Sequence, residues 1–207
     1  MRLSLSEVQS QRIYNYLKLI IKWNAAINLV GTNLVGASGV AAMISFHLVD
    51  CLALITHLPS GPISLVDVGS GAGLPAVPIA IARPDITVTA LEPIHKKHAF
   101  LATVRRDLAL SNLTTIAERL ETHQASHPAA YDVAVSRATF ALDTWLTLGK
   151  TLVKSSGLVL GMEGAEENFL PAGAERHPYQ LMDLATDART RKRAIIRLHC
   201  HGKPSAR

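Results

Sequence analysis

Leu65-Val66-Asp67-Val68-Gly69-Ser70-Gly71-Ala72-Gly73-Leu74-Pro75 decides how the rest of the chain is read. An apolar run closes on an aspartate and then breaks into three glycines at alternating positions, the pattern of a buried strand turning sharply into a helix. Glycine at such points adopts positive φ and lets the backbone approach a bound molecule with no Cβ in the way. The turn is therefore a candidate floor for a ligand. A dinucleotide fingerprint requires G-x-G-x-x-G, so that a pyrophosphate sits on the helix N-terminus. Here the sixth position is Leu74 and Pro75 follows, which leaves G-x-G-x-G spacing with Asp67 ahead of it.

Downstream of the turn, short apolar runs alternate with helical stretches, which implies a mostly parallel α/β sheet. The expected strands are 63–68, 86–91, 113–117, 132–136 and 156–162, with helices near 75–83, 94–110, 119–126 and 141–153. Right-handed crossovers bring every strand's C-terminal end to one edge, where ligands of open α/β sheets bind. Glu92 stands at that edge after Val88-Thr89-Ala90-Leu91, where a carboxylate accepts hydrogen bonds from both ribose hydroxyls. Arg119-Leu120-Glu121 follows the third strand, offering an apolar side chain for an adenine and a polar group for its edge. Arg137, in Ser136-Arg137-Ala138, ends an almost wholly apolar strand, so it must pair with a carboxylate or face a bound anion. Lys96 and Lys97, in the first turn of a helix, are either solvated or face an anionic substrate.

Upstream, residues 1–60 read as a helical extension ahead of a domain spanning 61–207. Ser4-x-x-Glu7 can form a capping box, and Val8, Ile13, Leu17, Ile20 and Ile27 then keep helical spacing. After a linker from Gly31 to Gly39, Met43, Ile44, Leu48, Cys51, Leu52 and Ile55 suggest a second helix, ended by Pro59 and Gly61. By residue type alone Trp23 is a core side chain, and His47 with Asp50 is a helix surface pair worth a few tenths of a kcal/mol.

The C-terminal part, Tyr179 to Cys200, reads as two strands joined by the polar run from Thr186 to Arg193. From Thr186 to Arg207 seven basic residues (Arg189, Arg191, Lys192, Arg193, Arg197, Lys203 and Arg207) stand against the single acid Asp187, an excess greater than the whole chain's net charge of +5. Charge concentrated at one end suits a phosphate-binding surface. With 207 residues, 48% hydrophobic and 18% charged, the chain is globular rather than disordered. It has neither an apolar run long enough for a membrane helix nor a signal-peptide core, so the expected location is cytoplasmic. Cys51 and Cys200 are too few for a disulfide framework, and His199 and His201 flanking Cys200 make poor metal geometry, so no metal is expected.

Taken together, the sequence resembles the bacterial glucose-inhibited division protein B family, the ribosomal RNA small subunit methyltransferases G. The features that carry the resemblance are Lys22-Trp23-Asn24 with Asn28-Leu29, His47-x-x-Asp50, the stretch from Asp67 to Pro75 with Pro78 after it, Arg83-Pro84, Lys96-Lys97 with Phe100-Leu101, and Ser136-Arg137-Ala138. They span residues 22 to 138 in the family's order. The glycine turn alone resembles the first motif of class I S-adenosylmethionine-dependent methyltransferases, whose Rossmann-like sheet is the fold the resemblance implies. It also implies the activity: transfer of a methyl group from S-adenosylmethionine to N7 of a guanine in 16S rRNA, with the rRNA or the small ribosomal subunit as partner. Gly69 and Leu74, Leu120 and Glu121, and Arg137 are then contacts of the cofactor, along with Gly71 and Gly73 of the turn and Glu92 in its ribose role. Under this resemblance the polar residues of the extension gain a functional reading in place of the structural one.

Some positions depart from the family's pattern. Cys51 stands where Ser is usual, Val30 where Thr is usual, and Met162-Glu163-Gly164 where Leu-Lys-Gly is common. The carboxylate of Glu163 bears on RNA contact there and leaves the cofactor turn untouched.

The implied chemistry agrees with what the chain lacks. The N7 lone pair lies in the ring plane and is free at neutral pH, so its attack needs placement and no general base. Arg137 would then order the site without transferring protons. Neither cysteine follows a proline, as a C5-methylating nucleophile would, and no Asn-Pro-Pro-Tyr type loop follows the fourth strand. The alternatives are a small-molecule methyltransferase, which would not need the basic tail, and a noncatalytic RNA-binding assembly factor.

Overall fold

The computed structural model describes residues 4–31, 36–164, 169–182 and 190–200. In chain order the helices are α1 (Glu7–Ile27), α2 (Gly36–Met43), a π-helical turn (Ile44–Leu48), α3 (Val49–Ile55), α4 (Ala76–Ala82), α5 (His95–Asp107), α6 (Leu120–Ser126) and α7 (Leu142–Leu152). The strands are β1 (Ser64–Val68), β2 (Thr87–Leu91), β3 (Leu113–Ile116), β4 (Tyr131–Ser136), β5 (Val153–Glu163), β6 (Ala174–Met182) and β7 (Thr190–His199).

They form one sheet in the order β3-β2-β1-β4-β5-β7-β6, parallel from β3 to β5 and closed by an antiparallel hairpin. Asp67 pairs in register with Ala90 on one side and Val135 on the other, so the strands end together at one edge. Side chains alternate between two cores, as the period of a strand requires. Leu65, Val133, Val135, Leu158 and Leu160 face α1, α4 and α5, while Val66, Val68, Ala134 and Val159 face α6 and α7.

The extension shares the first of these cores. Ile13, Tyr16, Leu17 and Ile20 of α1 are buried with Leu65, Ala76 and Phe100. Each such side chain contributes about 1.5–3 kcal/mol by leaving water. The capping box sits later than the sequence suggests: Ser6 and Gln9 form it, because α1 begins at Glu7 and Gln9 occupies its third position. Gln9 also donates from Nε2 to the carbonyls of Ile81 and Ala82, which ties α1 to the end of α4. The expected linker up to Gly39 ends earlier, since α2 already starts at Gly36, and α2 runs directly into the π turn.

The hairpin's first strand starts at Ala174, ahead of the expected Tyr179. Glu175-Arg176-His177-Pro178 carries no apolar run to announce a strand, and its proline is tolerated because β6 is the sheet's edge. Asp187, Arg189, His201, Lys203 and Arg207 lie outside the described residues.

Candidate cofactor and acceptor site

The glycine turn sits where β1 ends. Its three glycines take φ of +74° (Gly69), +56° (Gly71) and +84° (Gly73), the left-handed region that favours glycine. Two of them are also needed for space. A Cβ on Gly69 would lie 2.3 Å from Thr139 Oγ1, and one on Gly73 would lie 2.6 Å from Val77 Cγ2. Gly71 meets only the Gly69 carbonyl oxygen, at 3.8 Å.

Carboxylates hold the turn from below. Asp67, fully buried, accepts the Ala76 amide hydrogen on Oδ2 at 3.1 Å, while its Oδ1 has no hydrogen-bond partner. Burial pushes its carboxyl up to about 7, against the pull of the Ala76 amide, the Ser70 hydroxyl and the Arg137 charge. Glu92 is buried at the end of β2 and accepts from the amides of Gly71 at 2.8 Å and Ile94 at 2.9 Å. The carboxylate expected to hold a ribose thus first fixes the turn itself, each oxygen keeping a second lone pair.

Beside Gly69 a cavity of about 210 Å³ is lined by Leu91, Pro93, Leu120, Glu121 and Phe140. Leu120 is buried and Glu121 is exposed, the apolar and polar pair expected there. Leu74 is buried beneath the turn. Sequence reasoning missed Glu118, which also lines this cavity. Its carboxylate lies 3.2 Å from Nδ1 of the buried His123, whose Nε2 lies 2.7 Å from the Tyr131 hydroxyl. The signal was its position directly after the third strand.

Arg137 pairs with a carboxylate, one of the two possibilities its position allowed. Its Nε donates to Asp50 Oδ2 at 3.2 Å, and its Nη2 donates to the Phe46 carbonyl at 3.2 Å and to His47 Nδ1 at 2.8 Å. A guanidinium only donates, so His47 Nδ1 accepts and the neutral ring carries its proton on Nε2. Burial and the cations of Arg137, Arg191 and Arg193 lower His47 to about 4. His47 and Asp50 are therefore a joint cradle for Arg137, and Asp50 is buried where a surface pair would be exposed. The π turn, a form often found at functional sites, supplies Phe46 and His47.

The basic tail divides. Tyr179 donates its hydroxyl to Asp50, and the Arg193 guanidinium lies 3.9 Å from the same carboxylate. Arg191 covers the Phe46 ring with its guanidinium carbon 3.8 Å from the centroid. Lys192 alternates to the opposite face and is exposed. Two of the tail's cations thus pin the hairpin onto the extension, where a count of charge had assigned them to a phosphate surface. Trp23 meets Phe100 of α5 edge-on at 5.6 Å and ties the extension to the rest of the chain, and Asn24 accepts the Val30 amide hydrogen at 2.9 Å, which holds the chain where it leaves α1. Lys96 is exposed.

A larger cavity of about 510 Å³ opens at the ends of β4 and β5, lined by Ser136, Ala138, Phe140, Trp145 and Glu163 among others. It shares Phe140 with the smaller cavity, so the loop after β4 divides the two. Glu163 is buried there and accepts from Arg176 Nε at 2.7 Å and Nη2 at 3.1 Å. Among the described residues no group of three His, Cys, Asp or Glu is placed to hold a metal ion, and no helix is long and apolar enough to cross a membrane.

The sequence model of GidB, rRNA small subunit methyltransferase G, matches residues 9–177. The chain belongs to the GidB family. A Ribosomal RNA small subunit methyltransferase G of Psychrobacter cryohalolentis is 43% identical over 162 residues, covering 78% of this chain and 63% of that protein. The chain therefore spans somewhat less than two thirds of that relative. One of the same name from Methylobacillus flagellatus is 32% identical over 187 residues, covering 90% of this chain and 87% of that one. Among solved structures, precorrin-6y C5,15-methyltransferase of Geobacter metallireducens aligns with a TM-score of 0.53 at 13% identity, covering 72% of this chain and 86% of that one. The 16S rRNA (adenine(1408)-N(1))-methyltransferase of Catenulisporales acidiphilia gives 0.53 at 16% identity, covering 70% and 90%. These two likenesses establish the methyltransferase fold.

S-adenosylmethionine is the cofactor of the GidB family, and the residues fit it. The unpartnered Oδ1 of Asp67 is a buried polar atom beside the turn, left to meet a hydrogen-bonding group of the cofactor. The cavity beside Gly69 offers apolar Leu91 and Leu120 with polar Glu121 at its lip, as an adenosine requires.

Proposed function

We propose that this chain transfers a methyl group from S-adenosylmethionine to N7 of a guanine in 16S rRNA. Membership of the GidB family supports the reaction class. The observation that carries the site is the pair of cavities divided by the loop after β4 and sharing Phe140, one beside the glycine turn and one beyond it. A donor on one side and an acceptor base on the other is the arrangement methyl transfer needs.

Bound there, the cofactor supplies an electrophilic sulfonium methyl. Gly69, Gly71, Gly73 and Leu74 form its floor, Glu92 receives the ribose, and Leu120 with Glu121 takes the adenine. Arg137 is the positioning residue: held by Asp50, His47 and Phe46, it fixes the loop that separates donor from acceptor. No protein group has to take a proton from N7, so rate enhancement comes from placement and from exclusion of water. In this reading residues 1–60 are the extension that braces a methyltransferase domain of 61–207.

N7 lies on the major-groove edge, which is too deep and narrow in A-form RNA for side chains to reach. The substrate guanine therefore belongs to a loop, or to rRNA exposed while the small subunit assembles in the cytoplasm. Methyl-labelled cofactor, small-subunit particles lacking the modification, and their deproteinised RNA test this reading. Label recovered as 7-methylguanosine supports it. No label in either substrate, from protein that binds the cofactor, overturns it. The logarithm of RNA affinity is expected to fall with that of salt by about 0.7 per phosphate neutralised.

A further inference from the structure

Phe169 is the most exposed large apolar side chain among the described residues, at 92% of its full surface. An aromatic ring left in water gains nothing for the fold, and this one lines the larger cavity. The cavity's other ring pair is tied to the sheet. Trp145 donates its indole hydrogen to the Leu160 carbonyl at 2.8 Å, and Phe140 stacks on it with 6.0 Å between centroids and 14° between planes. Gly161 keeps the space beneath Leu142, since a Cβ there would lie 2.6 Å from Leu142 Cδ1.

Two carboxylates line the same cavity. Glu163 is committed to Arg176. Asp143, exposed in the first turn of α7, uses Oδ1 to accept the Thr144 amide hydrogen at 2.6 Å. Next door a third cavity of about 370 Å³ shares Glu163 and Gly164 as its wall and carries Arg176, Gln180 and Lys192.

Resting on the methyl-transfer reading above, we infer that this cavity seats a single unstacked guanine, with Phe169 stacking on the base and Asp143 accepting from its N1–H and exocyclic amine. Every base has a face on which an aromatic ring stacks, and single-stranded RNA is held in this way. A carboxylate only accepts, so it selects the donor edge of guanine over the Watson–Crick edge of adenine, which presents an acceptor at N1. Because N7 lies on the far side of the purine from that donor edge, gripping the donors leaves N7 free to face the methyl group. The neighbouring cavity, with exposed Lys192, suits the phosphate of the next nucleotide.

The test compares the full chain with Phe169→Ala, Phe169→Leu, Phe169→Trp and Asp143→Asn on small-subunit particles lacking the modification. It measures kcat/KM for methyl transfer, and cofactor affinity by calorimetry. Removing the stacking ring is expected to lower kcat/KM about tenfold or more, with cofactor affinity and melting temperature unchanged because the ring is exposed. Leu should fail as Ala does, and Trp should restore activity. Asp143→Asn, which keeps the acceptor for Thr144, should lower kcat/KM as well. Unchanged kcat/KM in Phe169→Ala or in Asp143→Asn, with an active wild type, overturns the guanine seat and leaves methyl transfer standing. A wild type that binds cofactor and methylates no RNA overturns both.

Discussion

Arg137 at the end of β4 donates to Asp50 in α3 across 87 residues of sequence, at 3.2 Å, with both side chains largely withdrawn from water. The same carboxylate takes the Tyr179 hydroxyl and lies near Arg193, so the extension, the loop after β4 and the C-terminal hairpin meet at one anion. Removing it leaves Arg137 buried without its charge partner. Asp50→Ala is expected to destabilise the protein by about 3–5 kcal/mol in urea unfolding. Methyl transfer is expected to fall in Asp50→Asn as well, because the loop after β4 loses the charge that fixes it.

The glycine turn separates space from conformation. Gly69→Ala puts a methyl group against Thr139 and against a positive φ, so cofactor affinity, read by calorimetry, is expected to drop tenfold or more, a cost of about 1.4 kcal/mol or greater. Gly73→Ala clashes with Val77 and Leu101 in the core, and its first effect should be a lower melting temperature. Gly71→Ala has room and bears only the conformational cost, about 1–2 kcal/mol.

Asp67 makes stability depend on pH in an identifiable direction. Its folded carboxyl titrates near 7, above its ordinary value, so the folded state holds the proton more tightly than the unfolded chain. Its contribution is complete below the unfolded value near 3.8 and is lost as pH rises through 7. His47, lowered to about 4, acts in the opposite sense over much the same window: its contribution is complete above its ordinary value of 6.5 and is lost as pH falls. The two mask each other in the wild type. Asp67→Asn removes the first alone. Relative to wild type it is expected to be less stable at pH 5 and to recover, or become more stable, at pH 8. A difference independent of pH would refute the assignment.

Tyr16 joins the extension to the turn, its hydroxyl donating to the Ala72 carbonyl at 2.6 Å with the ring fully buried. Tyr16→Phe keeps the ring and deletes the bond. The expected cost is about 1–2 kcal/mol, read in urea, together with weaker cofactor binding because Ala72 lies within the turn.

Much of this is legible in residue type and spacing. The alternating strands and helices, the left-handed glycines, and Leu120 beside Glu121 at the sheet edge all follow from residue type and spacing. Glu118, the polar first strand of the hairpin and the seat at Phe169 did not announce themselves, since an isolated acid, an edge strand with proline and a lone aromatic carry no period.

The sequence by itself determined the sheet and the place of its ligand edge, because hydrophobic alternation and the demand for positive φ are local properties of a few neighbouring residues. Only the tertiary structure decided what the charges do. A count of cations assigns the whole tail to RNA, yet Arg191 lies over Phe46 and Arg193 reaches Asp50 on one face of the strand, while Lys192 is exposed on the other. Strand pleat and long-range packing choose a charged side chain's partner, and a pairing such as Asp50 with Arg137 exists only once segments far apart in the chain have been buried together.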